Sequence, residues 1–321
     1  MTARLPQLDG EMMVAGQNAA SSKAGGDRAL IADPAGPSTP ELTTPASLLA
    51  LKELDVVYQG DTQTLWSYMR PAGRPSFTHA MLSDFEHWQS LIMQHFGPGR
   101  IPLKFLVLGS RAPGVFCFGG DLALFHELIQ DRDRSGLERY GHRCCAILHR
   151  NMQTLNMPVL TIGLVEGSAL GGGFEALLSF DYIVAERDAT FGLPEIMFGL
   201  FPGMGAHAFL SRKLGSAMAD RLIVSNKTYS AEEMHELGLV HHLAEKGEGQ
   251  SVCRDFIKKA GRRHAGMVNA RKAMKVSWGL ELEELNRITE LWADAALQLS
   301  ERDLKVMARL ASAQQRLADA A

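Results

Sequence analysis

Three consecutive glycines, Gly171-Gly172-Gly173, stand between two apolar runs, Pro158 to Val165 and Phe174 to Phe180. The first run reads as a buried strand and the second has the composition of a buried helix. Glycines at such a junction let the backbone approach a ligand closely and leave amides directed outward at a helix start. Glu175 then falls in the first helical turn, where a carboxylate suits the helix dipole. Taken alone, the stretch is equally well explained as a tight strand-to-helix turn with a capping acid.

The rest of the chain repeats the strand-to-helix theme. Leu54 to Gln59 and Thr64 to Met69 read as a hairpin around Gln59-Gly60-Asp61. Met81, Leu82, Phe85, Trp88, Leu91 and Ile92 recur at helical spacing and predict a helix over 78–96. A buried strand follows at Phe105 to Gly109, then Gly119-Gly120-Asp121 and a helix over 122–129. A longer helix is expected over 137–155, strands at Val159 to Val165 and Tyr182 to Ala185, and a helix opening at Phe201-Pro202-Gly203-Met204-Gly205. This alternation from Leu54 to Val240 is that of an α/β protein. From Val252 onward only helical periodicity remains, over 267–276, 282–299 and 303–318, and these helices are long enough to pack across a subunit interface. Residues 1–45, rich in Ala, Gly, Ser, Thr and Pro, are expected to be a disordered tail.

Composition narrows the function. The 321 residues are 46% hydrophobic with net charge −3 and no long basic block, which argues against nucleic acid as the partner. Cys117, Cys144, Cys145 and Cys253 have no C-x-x-C spacing, so neither a disulfide framework nor a zinc site is expected. His207, His235, His241 and His242 lack the spacing of a metalloprotease helix and read as surface or helix-end residues; no metal and no cofactor are expected. No stretch reaches the length of a membrane span and no secretory signal is evident, so a soluble, cytoplasmic protein is expected. The run Lys258-Lys259, Arg262-Arg263, Arg271-Lys272 reads as a solvated helix face, with docking of an acidic carrier protein or a CoA phosphate as the functional alternative.

Two places combine a strand end, glycines and a helix start: Gly119-Gly120 and Gly171-Gly172-Gly173. Brought together, an amide from each would form an oxyanion hole. Glu175 follows one of them, and Glu195 sits in Leu193-Pro194-Glu195, where proline stiffens the loop. Paired carboxylates beside such a hole suit removal of a proton next to a thioester carbonyl and departure of a β-hydroxyl. Each acid also has a plain explanation, as a helix cap (Glu175) or a solvated loop residue (Glu195).

Ala169-Leu170-Gly171-Gly172-Gly173-Phe174-Glu175, Phe191-Gly192-Leu193-Pro194-Glu195 and Phe201-Pro202-Gly203-Met204-Gly205, in this order and with the two glutamates 20 positions apart, strongly resemble the crotonase (enoyl-CoA hydratase/isomerase) superfamily. The resemblance covers about Leu51 to Ala318. It implies a crotonase-like ββα spiral core over 46–250, a C-terminal helical region over 251–321, and a homotrimer. Gly119-Gly120-Asp121-Leu122-Ala123-Leu124-Phe125, Phe201-Pro202-Gly203-Met204-Gly205-Ala206 and Arg287-Ile288-Thr289-Glu290-Leu291-Trp292 look more narrowly like the diffusible signal factor (DSF) synthases of bacterial quorum sensing. Phe118 stands where an ordinary short-chain hydratase usually has a small residue.

By that resemblance the oxyanion-hole amides belong to Gly120 and Gly172, Glu195 acts at C2, and Glu175 acts at the C3 hydroxyl or the water. Phe118, Gly119, Leu170, Gly171, Met204 and Trp292 contact the substrate, with Leu291 and Ala295 beside Trp292 on the acyl pocket. The implied activity dehydrates a medium-chain 3-hydroxyacyl group on acyl carrier protein, or on CoA, and hydrolyses the thioester to a free cis-2-unsaturated fatty acid. A sensor kinase is the implied protein partner. No G-x-S-x-G elbow or Cys/His pair is evident, so hydrolysis would reuse the same hole and a glutamate. The alternatives are an enoyl-CoA hydratase/isomerase of fatty-acid metabolism and a regulatory binding protein on the same fold.

Overall fold

The structure, a computed structural model, describes residues 44–319, so the expected 1–45 tail lies outside the described residues but for its last two positions. In chain order the strands are β1 (Leu54–Gln59), β2 (Thr64–Met69), β3 (Phe105–Ser110), β4 (Val115–Cys117), β5 (Leu160–Val165), β6 (Ser168–Leu170), β7 (Tyr182–Glu186), β8 (Thr190–Gly192), β9 (Thr228–Ser230) and β10 (His242–Ala244). The helices are α1 (Ala46–Leu49), α2 (His79–His95), α3 (Leu122–Gln130), α4 (Arg134–Met152), α5 (Gly172–Leu178), α6 (Ala206–Leu214), α7 (Ser216–Val224), α8 (Ala231–Glu236), α9 (Gly249–Gly261), α10 (His264–Trp278), α11 (Leu282–Ala296) and α12 (Glu301–Asp319).

The strands make a large sheet ordered β1-β2-β3-β5-β7-β10 and a small one ordered β4-β6-β8-β9. The β1–β2 hairpin is antiparallel, and every other pairing in the large sheet is parallel. Three times the chain runs up a strand of the large sheet, crosses to a short strand of the small sheet, and leaves through a helix: β3-β4-α3, β5-β6-α5, β7-β8 and then α6. This is an α/β fold of stacked ββα turns with a helical C-terminal end.

Side-chain patterning explains the layers. All six residues of β5, Leu-Thr-Ile-Gly-Leu-Val, are buried, as a parallel strand covered on both faces requires. Leu160, Ile162 and Leu164 join Trp66, Tyr68, Phe105 and Val107 under Cys253, Ile257 and Ala260 of α9, while the opposite face meets the main core with α2, α4 and α5. Helix starts follow capping chemistry: Thr78 accepts from Met81 N at 3.1 Å, and Asp121 accepts from Ala123 N and Leu124 N. Among the described residues no helix is long and apolar enough to cross a membrane.

Within the chain, α11 lies along α4, and α12 folds back on α3 and on the 3₁₀ turn Glu195–Phe198. Met307 and Ala311, four residues apart on α12, supply the buried stripe that holds it there. The α4–α11 seam is tight because Gly141 has no side chain: a Cβ there would lie 2.2 Å from Thr289 Cγ2. Of the histidines expected at the surface or at helix ends, His235 is exposed, whereas His207, His241 and His242 are half-buried. His241 accepts from Ile183 N at 3.1 Å, and burial beside Arg271 and Lys213 pushes it down to about 3.

Candidate active site

In the small sheet β4, β6 and β8 are parallel neighbours, so their C-terminal ends open on the same side. Phe118-Gly119-Gly120 follows β4, Gly171-Gly172 follows β6, and Leu193-Pro194-Glu195 follows β8. Three segments far apart in sequence thereby meet. Gly171 N donates to Gly192 O at 2.8 Å, extending the pairing one residue past the strand. The approach of the two glycine runs is close: a Cβ on Gly119 would lie 2.4 Å from Gly172 N, and one on Gly173 would lie 2.2 Å from Cys117 O. Helix α5 can start against β4 only because these positions are bare.

The junction opens into a cavity of about 250 Å³. Gly120, Gly172, Glu175, Glu195, Phe118, Leu170, Gly171, Met204 and Trp292 all line it, so the structure gathers the sequence-predicted site residues there except Gly119, Leu291 and Ala295. Among the described residues, neither Gly120 N nor Gly172 N donates to a backbone carbonyl, leaving both amides for a ligand oxygen. The remaining wall is apolar and aromatic. Phe125 sits edge-on to Tyr140 at 4.9 Å and to Trp292 at 5.0 Å, and Leu310, Ala313 and Gln314 of α12 close one end.

Glu175 is 1% exposed, and its Oε1 accepts from Met204 N at 2.9 Å and Ala206 N at 3.0 Å. Burial outweighs those amides and pushes its carboxyl up to about 7. Glu195 is half-buried, and its Oε2 has no hydrogen-bond partner among the described residues. Burial and the neighbouring Glu175 charge together push it well above the ordinary carboxylate range. The pair is therefore asymmetric: the amides favour charge on Glu175, and Glu195 holds its proton longer. Gly171, at φ +51°, is needed by both shape and space, because a Cβ there would lie 2.7 Å from Glu195 Oε1.

This burial has a measurable consequence. Folded Glu175 keeps its proton to about pH 7, against an ordinary value of 4.5. Between those values the folded chain holds the extra proton, so stability falls as pH rises through the window and stays reduced above it. Glu175→Gln escapes the loss. The variant is expected to be more stable than the parent at pH 8, by up to about 3 kcal/mol, with the difference disappearing near pH 4. Thermal melts across that range check it, and equal melting temperatures at pH 8 would refute it.

Leu291 and Ala295 do not line the cavity. Leu291 is 64% exposed, because on α11 it lies next to Trp292 in sequence and hence about 100° around the helix from it. The residues that meet the core are Leu285, Thr289, Trp292, Ala293 and Ala296. None of the basic run lines the cavity, and its Arg271 is half-buried, stacking on Tyr182 at 4.2 Å. Sequence reasoning passed over Phe125, Tyr140 and the α12 wall. Tyr140 falls on the buried stripe of α4 with Leu137 and Cys144, a signal for core that carries no information about which core residues border a cavity.

Residues 102–314 match the family model described as enoyl-CoA hydratase/isomerase. The chain is 32% identical over 159 residues to rat mitochondrial methylglutaconyl-CoA hydratase, covering 49% of this chain and 48% of that one. It is also 32% identical over 199 residues to human mitochondrial enoyl-CoA hydratase domain-containing protein 2, covering 60% of this chain and 62% of that one. The match thus spans about half the length of the first of these relatives. Among solved structures, an enoyl-CoA hydratase from Bacillus halodurans superposes with a TM-score of 0.65 at 22% identity, over 81% of this chain and 100% of that one. Pseudomonas aeruginosa DspI superposes with a TM-score of 0.60 at 23% identity, over 72% and 90%. At these identities the structural likeness speaks to the fold.

Proposed function

The chain belongs to the enoyl-CoA hydratase/isomerase family, the crotonase superfamily, and from that premise we propose that it dehydrates a medium-chain 3-hydroxyacyl thioester on acyl carrier protein and hydrolyses the product to a free cis-2-unsaturated fatty acid, as a DSF synthase does. The observation that carries the reading is the convergence of a buried carboxylate, a half-buried one and two free amides on one apolar cavity.

With the thioester oxygen on the amides of Gly120 and Gly172, ionised Glu195 takes the C2 proton, and the charge passes to that oxygen, where the amides stabilise it. Return of the electrons forms the C2–C3 double bond and breaks the C3–O bond, and the proton of Glu175 leaves with the hydroxyl as water. Glu195 is now protonated and Glu175 ionised, which is the distribution that the empty site favours. Glu175 is thereby ready to take a proton from a water as that water attacks the thioester carbonyl. The tetrahedral oxyanion occupies the same hole, the carbon–sulfur bond breaks, and the thiolate takes its proton from Glu195. Both acids return to their starting states, so the cycle closes without a further nucleophile.

The second reading, a hydratase/isomerase acting on CoA thioesters, uses the same acids in the opposite direction, and the names of the relatives favour it. Product analysis separates the two. Purified protein given 3-hydroxydodecanoyl groups on carrier protein and, separately, on CoA is expected to release free cis-2-enoic acid from the carrier substrate. A reversible mixture of enoyl and hydroxyacyl thioesters with no free acid would establish the hydratase instead. Absence of turnover on any thioester would leave a binding protein.

A further inference from the structure

The Gly120 amide is aimed by its neighbours in the loop, which has little regular structure of its own. Gly119 O accepts from Phe77 N at 2.7 Å. In a trans peptide the carbonyl and the following N–H point in opposite directions, so fixing that carbonyl on Phe77 turns the Gly120 N–H away from it, toward the cavity. The loop is also held on either side, where Phe118 N donates to Pro75 O at 2.8 Å and Arg74 bonds Asp121 Oδ1 at 2.8 Å. Tyr140 adds a restraint on the backbone next to the Gly120 amide itself. Its hydroxyl donates to Phe77 O at 2.6 Å and accepts from Asp121 N at 3.2 Å, bridging both sides of the same pair of segments.

Phe77 and Gly120 pair as an isolated parallel bridge. The phenol oxygen bonds to both backbone groups that face each other at its far end, Phe77 O and Asp121 N. Tyr140 is buried, 1% exposed, and the single hydrogen of its hydroxyl is given to Phe77 O, so the group has no proton left to donate to a substrate. Its ring meets Phe125 edge-on at 4.9 Å, and Phe125 in turn would clash with any Cβ on Gly120. Hydroxyl and ring therefore bear on the same peptide from two directions.

We propose that Tyr140 is a positioning residue of the oxyanion hole, setting the direction of the Gly120 amide. The proposal rests on the use of that amide described above. Without the hydroxyl, Asp121 N and Phe77 O lose the group that ties them together, and the Gly120 peptide is free to tilt. A donor aimed off the developing oxyanion loses its effect mainly in the transition state, so kcat should fall while ground-state binding holds.

Tyr140→Phe tests this, with Ile147→Val on the same helix as a control of similar disturbance away from the loop. The expected result is a fall in kcat of about 10- to 100-fold with KM within about 2-fold, while Ile147→Val stays near the parent. A spectroscopic arm is independent of the reaction. Dodecanoyl-pantetheine labelled with ¹³C at the carbonyl, bound to a Glu175→Gln/Glu195→Gln background to prevent turnover, should show a carbonyl stretch lowered by the hole. Tyr140→Phe in that background should remove about half or more of the lowering. An equal stretch with and without the hydroxyl, or a raised KM at unchanged kcat, would overturn the proposal. A lowered stretch in a protein that dehydrates nothing would overturn the reaction assigned above and leave Tyr140 standing. Tyr140→Met, which fills the space with a flexible chain, replaces Tyr140→Phe in both arms if the phenyl ring disturbs folding, with the same outcomes expected.

Discussion

Glu195→Gln and Glu175→Gln are each expected to cut dehydration about 10³-fold, within the range for loss of a positioned acid or base, and to cut thioester hydrolysis with it. The two losses go together because one pair of carboxylates serves both steps. The double variant should be little worse than the poorer single one, since either acid is useless without its partner. The two steps should share one pH dependence. Each needs the pair to hold a single proton, dehydration with it on Glu175 and hydrolysis with it on Glu195. Both rates are therefore expected to fall together as pH drops below about 7, where both carboxyls are protonated, and to fall again at higher pH once Glu195 gives up its proton. Initial rates for both products across that range check this. Full dehydration by either single variant would refute the shared-acid mechanism.

Gly119→Ala is expected to damage both stability and catalysis. Gly119 has φ +91°, a region costly to any residue with a Cβ, and the added carbon would lie 2.4 Å from Gly172 N and 3.0 Å from Leu170 O. Both are backbone atoms held by β6 and α5, so neither can step aside as a flexible side chain would. Strain and overpacking together should cost about 2–4 kcal/mol of stability. The displaced atom is itself a donor of the candidate hole, so the surviving folded protein should lose about 10²- to 10³-fold in kcat. Gly172→Ala is the informative comparison. Its worst contact is with Met204 Cε, the end of a flexible chain, and it should be better tolerated in stability. Thermal melts paired with kcat decide the matter; a folded Gly119→Ala within 2-fold of parental kcat would show that the two glycine runs need not touch.

Local patterning was enough to place the long elements. The apolar spacing of α2, the hairpin of β1 and β2, and the unbroken run of β5 each determine their own structure, because burial of one face or two leaves a periodic trace over six or more residues. The small sheet left no such trace. Strands β4, β6 and β8 have three residues each, too few for alternation to show, and it is their parallel register that sets Gly120, Gly172 and Glu195 side by side. The same limit applies to the C-terminal end: an amphipathic stripe shows that α12 must cover something, but not that it covers its own cavity.

The sequence by itself determined the chemistry available here: glycines where backbones must touch, two acids at fixed spacing, and an apolar chain on either side of them. Tertiary structure alone decided what that chemistry becomes. Glu175 is raised toward neutrality only because folding removes water from it, Glu195 is raised by burial and by the Glu175 charge, and burial is a property of the whole core. Tyr140 and Leu291 make the same point in opposite directions. One is a core-patterned tyrosine that reaches the loop 19 residues away, and the other a leucine beside a cavity residue that faces outward. Neither outcome is written in the residue or its neighbours, because both depend on which segments the two sheets bring together.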